Sequence, residues 1–285
     1  MGNRKMEYWI GWFHETHAGG EAITIARAAE QLGFSGIALS DHVALPKQQQ
    51  SRHPLLGIPY DPQIPVIEPI TTAATMAAIT KTLRFMTYAY VMGMREPFSV
   101  AKQAAALADL SNNRFALGIT PGWNSDEMAL LGHDPATRGP RFAESIDVMR
   151  GLWAHDLFSY SGKHYHFEEV GIAPRPGQAP PILVGGHTPA AIRRAAEQAG
   201  WIGMNHSRDE LRPLLEQLSE LSGGSALSFV IAAEPASSGY LDALEDMGVT
   251  GVVFMPWPVM QPEPVPLDSK LAAMEALAAS LQGRS

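Results

Sequence analysis

Short apolar runs alternate with longer amphipathic segments along most of the chain. The runs show little polar alternation, which is typical of strands in a parallel sheet that is buried on both faces. Examples are IALS, ILVGG, FVIAA and VVFMP. The predicted strands cover residues 8–13, 36–40, 83–92, 115–120, 182–184, 201–204, 228–232 and 251–255.

Segments with apolar residues at helical spacing follow these strands. The predicted helices cover residues 22–32, 69–80, 98–110, 141–153, 209–221, 239–247 and 268–281, and a further helix begins at Pro189. Eight strands that alternate with eight helices over 285 residues predict an α/β fold, a (β/α)8 TIM barrel, rather than an open doubly wound sheet. We therefore expect residues 1–285 to form a single domain.

Two segments interrupt this alternation. Residues 43–68 contain five prolines and a polar run at residues 47–52. A long loop of this kind inside a compact domain more often covers a site than links two domains, so we interpret it as a lid-like insertion after the second strand. Residues 157–181 place aromatic residues on both sides of a Ser-Gly-Lys turn, a pattern that predicts a hairpin insertion before the fifth strand.

The fifth strand leads into a turn that suits a phosphate. In PPILVGGHTPAAIRRAAEQA, residues 180–199, Gly185 and Gly186 follow the apolar run, and Thr188 with Pro189 is typical of a helix N-cap and first helical residue. The first turn of a helix leaves amide N–H groups unpaired and carries a partial positive charge. We interpret the stretch as the phosphate-binding turn of a cofactor site. The alternative is a well-capped βα turn without a ligand.

Composition narrows the range of partners. The formal net charge is −8, with 21 Lys and Arg residues that form no basic cluster, which argues against nucleic acid as a partner. The sequence contains no cysteine, which excludes disulfides, thiolate nucleophiles and zinc–cysteine sites. It shows no signal-peptide pattern and no apolar run of about 18 residues, so we expect a cytoplasmic protein that makes no membrane contact.

Residues that could carry chemistry follow the predicted strands directly, where TIM barrels hold their functional groups. They are His14, His17, Asp41, His42, Tyr90, Thr120, Gly122, Trp123, Gly185, Gly186, His187, Thr188, His206 and Trp257. Aromatic and imidazole rings around one phosphate-binding turn suit a flat aromatic cofactor with a phosphate tail. We expect Tyr90, Thr120, Gly122, Trp123 and residues 185–188 to bind the cofactor. We expect His14, His206 and Trp257 to line the substrate space or the lid.

His42 is the residue to which we assign proton transfer or hydrogen bonding to the cofactor ring, because imidazole titrates near neutrality. Asp41 is expected to act with it as the second catalytic residue. Alternatively, Asp41 caps the following turn and His42 packs under the lid. Trp123 either stacks on a ring or fills the mouth of the barrel, and Gly122 would let the backbone approach a ligand closely.

Metal-dependent hydrolysis is a competing chemistry for the same fold. His14 and His17 follow the first strand, but their i, i+3 spacing matches neither the histidine pair of barrel hydrolases nor an HExxH motif. His187 and His206 are the histidines that later strand ends offer as further ligands. We expect no metal site.

Four stretches of the sequence carry a family resemblance. They are GIALSDHVALP (36–46), YVMGMREPFSVAKQAAALADLSNNRFALGITPGW (90–123), RFAESIDVMRGLW with YSGKHYHFEEVGIAPRP (141–176) and PPILVGGHTPAAIRRAA (180–196). In this order they resemble the luciferase-like monooxygenase superfamily, in its branch of coenzyme F420-dependent oxidoreductases. The resemblance covers residues 8–206 and fades beyond them.

The resemblance implies a TIM barrel that binds FMN or coenzyme F420, with the ring across the strand ends and the phosphate at the helix after the fifth strand. It implies a non-proline cis peptide within residues 88–91, and it matches Asp41 and His42 to the family's Asp-His pair. Deazaflavin-dependent sugar-phosphate dehydrogenases carry a glutamate after the glycine that follows the fourth strand. This chain has Trp123 there, which argues against that substrate.

The sequence leaves two cofactors open. The branch resemblance favours coenzyme F420, but its phosphodiester and oligoglutamate tail would suit a basic mouth, and the segments IAAEPASS and FMPWPVM after the last two strands contain no Lys or Arg. We therefore favour FMN slightly. With FMN we expect a monooxygenase that uses O2 and reduced flavin from a separate flavin reductase to oxidise a small organic substrate. The alternatives are an F420-dependent dehydrogenase or reductase and a non-catalytic flavin-binding protein; family likeness also implies a homodimer.

Overall fold

The structure is a computed structural model that describes residues 5–13, 20–54, 57–259 and 264–283. Its strands are β1 (Glu7–Trp12), β2 (Gly36–Leu39), β3 (Arg84–Thr87), β4 (Tyr90–Val91), β5 (Phe115–Thr120), β6 (Phe158–Ser161), β7 (His166–Val170), β8 (Ile182–Gly185), β9 (Gly200–Gly203), β10 (Leu227–Ile231) and β11 (Gly251–Phe254). Its α-helices are α1 (Glu21–Gln31), α2 (Pro69–Ala77), α3 (Pro97–Leu110), α4 (Ser125–Leu130), α5 (Arg138–Ala154), α6 (Pro189–Ala196), α7 (Arg208–Ser222), α8 (Ser238–Asp246) and α9 (Leu267–Ser280). Among the described residues, no helix has the length and apolar character that crossing a bilayer requires.

Parallel pairing closes the strands into a barrel. β1 pairs with β2 and β11, and the pairing continues through β10, β9, β8 and β5. β3 pairs with both β2 and β5, which closes the ring, and β4 continues the course of β3 along β5. The eight positions of this ring, with helices around it, confirm the predicted α/β class and TIM-barrel fold.

Two predicted elements need correction. The strand expected at residues 83–92 is divided into β3 and β4. The Gly- and Pro-rich segment between β5 and residue 141, for which the sequence predicts no helix, contains α4. Its six residues are too few to show apolar periodicity, which explains why the sequence pattern did not reveal this helix.

The interruption between β3 and β4 is a bulge. Residues 87–89 stand opposite only two residues of β5, Leu117 and Gly118, and the peptide bond between Tyr88 and Ala89 is cis. The cis bond lies within the predicted residues 88–91. The Tyr88 side chain belongs to the cluster inside the barrel, where its hydroxyl contacts the backbone carbonyls of Gly203 and Phe229.

The core has two layers because successive residues of a strand point to opposite faces. In β1, Trp9 points into the barrel, whereas Ile10 and Trp12 pack between the barrel and the helices. The Trp9 and Phe229 rings meet edge to face with centroids 5.7 Å apart, so side chains fill the barrel interior. The inner layer contains Trp9, Phe13, Ala38, Met86, Tyr88, Leu183, Ile202, Phe229, Ile231 and Val253.

The predicted hairpin insertion is confirmed. β6 pairs antiparallel with β7, and the backbone N–H of Gly162 donates to the Tyr165 carbonyl at 2.8 Å. Glu144 of α5 accepts hydrogen bonds from three consecutive backbone N–H groups, residues 163–165, at 2.8 to 3.0 Å. This carboxylate therefore fixes the hairpin turn on the outside of the barrel.

Candidate functional site

The turn between β8 and α6 has the predicted helix cap. Thr188 adopts an extended conformation, its hydroxyl accepts from the Ala191 N–H at 3.2 Å, and Pro189 begins the helix. Gly186 has a φ of +119°, which a side chain would strain. Residues 186–188 are exposed. We call residues 186–188 the β8–α6 turn.

Two imidazoles adjoin this turn. The indole of Trp201 is fully buried and donates to the Gly186 carbonyl at 2.7 Å. The His206 ring stacks on Trp201 with centroids 6.2 Å apart, and the His187 ring meets His206 edge to face at 6.1 Å. Burial, and then the charge of His187, lower the pKa of His206. The structure therefore brings two predicted site residues to the helix start.

The second group of site residues centres on His42, which follows β2. Its Nδ1 lies 2.6 Å from Oε2 of Glu127, and Glu127 is fully buried. The other oxygen of Glu127 accepts from the backbone N–H groups of Val43 and Ala44 at 2.6 and 3.0 Å. Burial raises the pKa of Glu127. The hydrogen bond with His42, the charge of that ring and the hydrogen bonds from the two backbone N–H groups lower the pKa by more, so the net shift is downward.

Asp41 faces away from His42 and makes its contacts elsewhere. Both of its oxygens accept from the Arg95 guanidinium, at 2.7 and 2.8 Å, and one also accepts from the Val91 N–H at 2.8 Å. Burial raises the pKa of Asp41, and Arg95 acts against this rise. Asp41 thus joins the end of β2 to β4, and the carboxylate that contacts His42 is that of Glu127.

Tyr90 lies beneath Arg95 rather than in the barrel interior. Its ring centroid is 3.8 Å from the guanidinium carbon, its side chain is buried in the layer between barrel and helices, and burial raises its pKa to about 12. A cavity of about 280 Å³ adjoins Tyr90, Arg95 and His133 on the α3 side. These contacts place the Tyr90 ring on the helix side of the barrel wall, and its cofactor contact stays a prediction.

Four rings form a cluster over the mouth end of β2 and β5, and we call them the lid cluster: His42, His53, Tyr60 and Trp123. Tyr60 lies 5.2 Å from both His42 and Trp123, edge to face in each case. His53 stacks on Tyr60 at 5.1 Å with the planes 8° apart. Burial lowers the pKa of His53, as does the charge of His42. The lid-like segment thus covers His42, as one of the sequence interpretations proposed.

Helix α4 anchors this segment. The Ser51 hydroxyl accepts from the N–H groups of Ser125 and Asp126, and the Asp126 carboxylate accepts from the N–H groups of Gln50 and Ser51. The Asn124 side chain caps the helix by accepting from the Glu127 N–H, and it also donates to the Gln49 side chain. The start of α4 therefore binds the loop through reciprocal hydrogen bonds.

Gly122 is required by the chain's own packing. It has a φ of +90°, and a Cβ there would lie 2.4 Å from the Val91 side chain and 2.6 Å from Met128. The Val91 and Met128 side chains therefore occupy the space beside its Cα, and the close approach of a ligand to Gly122 stays a prediction. Thr120 is half-buried at the end of β5, and its hydroxyl lies 3.5 Å from the Gly122 nitrogen.

Trp257 lies in the layer between barrel and helices. It is 4% exposed and meets Trp12 edge to face at 6.2 Å. Lys270 of α9, itself 0% exposed, lies 5.3 and 5.9 Å from the Trp12 and Trp257 rings. The predicted substrate or lid role of Trp257 gains no support from this position. His14 lies outside the described residues.

Metal binding gains no support from the part of the chain that the structure covers. No three His, Cys, Asp or Glu side chains among residues 5–13, 20–54, 57–259 and 264–283 are grouped so that they could hold a metal ion. His14 and His17, the pair that raised the question, lie outside these ranges. The expectation of no metal therefore stays a prediction.

The sequence analysis missed Glu127 as a site residue and gave Arg95, which lies among the candidates after the third strand, no role of its own. Glu127 had a signal: Asn124 followed by Ser125, Asp126 and Glu127 is typical of an N-cap and an acidic first helical turn, and this helix follows directly on the mouth end of β5. Arg95 gave no comparable signal. Its partner Asp41 is 54 residues away in the chain, and no local pattern reports such a pair.

Sequence comparison identifies the family. Residues 8–229 match the family described as luciferase-like monooxygenase, and this chain belongs to it. The family and the monooxygenases among the chain's relatives identify the protein as an oxidoreductase.

Individual relatives differ in what is known of them. An uncharacterized protein of Mycobacterium tuberculosis is 36% identical over 273 residues, which cover 90% of this chain and 92% of that protein. The FMNH2-dependent dimethylsulfone monooxygenase of Pseudomonas fluorescens is 32% identical over 143 residues, 48% of this chain and 38% of that enzyme. A solved F420-dependent secondary alcohol dehydrogenase, in complex with an F420–acetone adduct, has a TM-score of 0.76 at 15% identity and covers 98% of this chain and 99% of that one. At this identity the structural likeness shows the shared fold.

Proposed function

We propose that this chain is a flavin-dependent monooxygenase that binds reduced FMN at the mouth of the barrel and oxidises a small organic substrate with O2. The β8–α6 turn carries the proposal, because it combines an exposed helix start with two imidazoles. The relative from Pseudomonas fluorescens, whose name specifies FMNH2, supports the same cofactor.

The β8–α6 turn fits a phosphate monoester. Gly186 has no side chain to obstruct approach, and the first-turn N–H of Ala190 has no acceptor within the helix. Thr188 can donate its hydroxyl proton while it accepts from Ala191. His187 and His206 add ring N–H donors beside the turn. These groups would bind the phosphate, and the partial positive charge of the helix start favours an anion there.

The strand ends fit a flat ring. Ala89, Met204 and Met255 are half-buried and pack against the inner layer beside Phe13 and Tyr88. Their apolar groups would support one face of the ring and exclude water from it. Reduced flavin, when bound, supplies the two electrons that activate O2.

Charge at the end of the barrel favours FMN over coenzyme F420. The segments after β10 and β11 contain no Lys or Arg. Arg208 reaches the end of β10, but both oxygens of Glu234 pair with it at 2.9 Å. A long polyanionic tail would therefore meet a neutralised cation, whereas the phosphate of FMN needs only the β8–α6 turn.

The lid segment, residues 43–68, would close the site over the substrate. Tyr60 and His53 cover His42, and the hydrogen bonds to α4 hold the segment in this position. Closure of this kind shields the reacting atoms from water. His42 is then the titratable side chain placed to exchange a proton with the substrate.

A binding titration tests the proposal. We expect reduced FMN to bind at least about tenfold more tightly than reduced riboflavin. A tenfold difference in affinity corresponds to about 1.4 kcal/mol of binding free energy, which one charge-assisted hydrogen bond to the phosphate can supply. His187→Ala should narrow this preference. His155→Ala, which removes an exposed ring stacked on Phe158, is the matched control and should leave the preference unchanged. Equal affinities for FMN and riboflavin in the unmodified protein would overturn the proposal.

A coenzyme F420-dependent dehydrogenase is the second candidate, and the fold shared with such an enzyme along nearly the whole chain favours it. The same titration with coenzyme F420 separates the two candidates. Tighter binding of F420 than of FMN, with loss of its absorbance on hydride transfer from an alcohol, would establish this second function. The separate flavin reductase and the homodimer stay predictions, and sedimentation velocity measures the dimer directly.

A further inference from the structure

His42 presents its two ring nitrogens to different surroundings. Nδ1 contacts the Glu127 carboxylate at 2.6 Å, whereas no hydrogen bond of Nε2 is found among the residues that the structure describes. The ring edges pack against Tyr60 and Trp123 at centroid distances of 5.2 and 5.7 Å, and only 8% of the side chain is exposed. The ring orientation is therefore fixed on three sides.

The two oxygens of Glu127 have separate tasks. Oε1 accepts from two backbone donors, Val43 and Ala44, and Oε2 faces the imidazole. An ionised carboxylate accepts hydrogen bonds and donates none, so the ring nitrogen that faces it must carry a proton. Asp41, the carboxylate next to His42 in the sequence, cannot take this place because Arg95 and Val91 occupy both of its oxygens.

We propose that Glu127 is a positioning residue that keeps the His42 proton on Nδ1 and leaves the Nε2 lone pair free to accept a proton from the substrate. The proposal rests on the proposed function, because it assigns a role to His42 within the same site. It also restricts the substrate: the molecule must present an O–H, N–H or acidified C–H group to Nε2. A substrate that only donates or accepts a hydride, and that has no O–H, N–H or acidified C–H group, has no proton to transfer to His42.

The proton transfer balances within the site. The Nε2 electron pair takes the substrate proton, the bonding pair of the broken bond stays on the substrate atom, and the ring becomes an imidazolium. Glu127 at 2.6 Å stabilises this cation. Because Glu127 also holds the first two residues of the lid segment, the orientation of His42 is coupled to the closed position of that segment.

The ¹⁵N NMR spectrum of histidine-labelled protein without cofactor tests the assignment directly. We expect the neutral form of the His42 ring to carry its proton on Nδ1 and to leave Nε2 unprotonated. The His42→Asn spectrum identifies the signal, since the chain has ten histidines. A neutral His42 ring with its proton on Nε2 in the unmodified protein would overturn the proposal whatever the variants show.

Glu127→Gln provides the second test. The backbone N–H groups of Val43 and Ala44 need an acceptor, and the only acceptor in the glutamine side chain is its amide oxygen. The NH2 group of the glutamine therefore faces His42 and donates to Nδ1. We expect the proton to move to Nε2 while the ring keeps its place. Asp126→Asn is the matched control: Asp126 holds the lid segment but does not contact His42, so the tautomer should stay as in the unmodified protein. Retention of the Nδ1 proton in Glu127→Gln would count against the proposal.

Catalytic measurements complete the design. In Glu127→Gln we expect kcat to fall at least about tenfold while the dissociation constant of FMN changes less than about twofold. If neither FMN nor coenzyme F420 binds the unmodified protein, the proposed function fails while the tautomer assignment stands. If cofactor binds and the tautomer is reversed, the present inference fails alone.

Discussion

Glu30, at the end of α1, shows how much one carboxylate at the edge of the barrel contributes to stability. It accepts from three consecutive backbone N–H groups, residues 81–83, at 2.6 to 3.0 Å, and from the Thr82 hydroxyl. Burial raises its pKa, but these hydrogen bonds outweigh burial and lower the pKa to about 2 from 4.5. A depressed folded-state pKa stabilises the fold above pH 4.5, and this contribution is lost as the pH falls from 4.5 towards 2.

We therefore predict that Glu30→Gln lowers the free energy of unfolding at pH 7 by about 1 to 2 kcal/mol, a value reduced for solvent exposure. The difference from the unmodified protein should shrink as the pH falls below 4.5. Urea unfolding of both proteins at a series of pH values measures this difference in the free energy of unfolding. Glu168→Gln, on an exposed position of β7, is the control, and a pH-independent difference for Glu30→Gln would contradict the linkage.

At the scale of residues, the sequence predicted which side chains lie at strand ends and could not predict their partners. His42 lies under the lid segment, a position that the sequence offered as the alternative to a catalytic role, and its carboxylate partner is Glu127 and not the expected Asp41. The catalytic role of His42 stays a prediction. The Asp41 carboxylate is taken up by Arg95 and Val91, so adjacency in the sequence does not make Asp41 the partner of His42. The carboxylate that contacts His42 comes from 85 positions along the chain.

At the scale of elements, α4 organises more of the site than its length suggests. Its first turn binds residues 49–51, and Glu127 binds residues 42–44. The sequence revealed the barrel strands because each is a buried apolar run, and it gave the lid segment its approximate limits through proline. It did not reveal α4, because a helix of six residues is too short to show apolar periodicity.

We predict that Ser51→Ala loosens the lid segment without altering the barrel. The change removes the hydroxyl that accepts from Ser125 and Asp126 at 2.9 and 3.3 Å, and leaves two N–H groups at the start of α4 without that acceptor. Hydrogen exchange followed by mass spectrometry should become about tenfold faster at residues 49–51 and in α4, with β5 and β8 unchanged. Ser99→Ala, at the start of α3, is the control. Uniform acceleration throughout the chain would show global destabilisation instead.

At the scale of the whole molecule, the two ends of the chain complete the barrel together. β1 pairs with β11, and α1 packs beside α9. Between these helices, Lys270 lies fully buried and pairs with Glu21, 249 positions away, at 3.0 Å. The sequence predicted α9 but not this contact, since lysine in a helix is ordinarily exposed and a buried one needs a partner.

We predict that Lys270→Ala lowers the free energy of unfolding by about 3 kcal/mol, because it removes an ion-pair partner and the chain volume between Trp12 and Trp257. Lys270→Met retains most of that volume, and Glu21 is 15% exposed and so partly hydrated, so the methionine variant should lose less. Glu21→Gln removes the Glu21 charge from the buried ion pair while the ammonium stays buried, and should cost more than Lys270→Met. Chemical unfolding ranks the three variants by their free energies of unfolding. A methionine variant as unstable as the alanine variant would show that charge, rather than packing, stabilises the contact between α1 and α9.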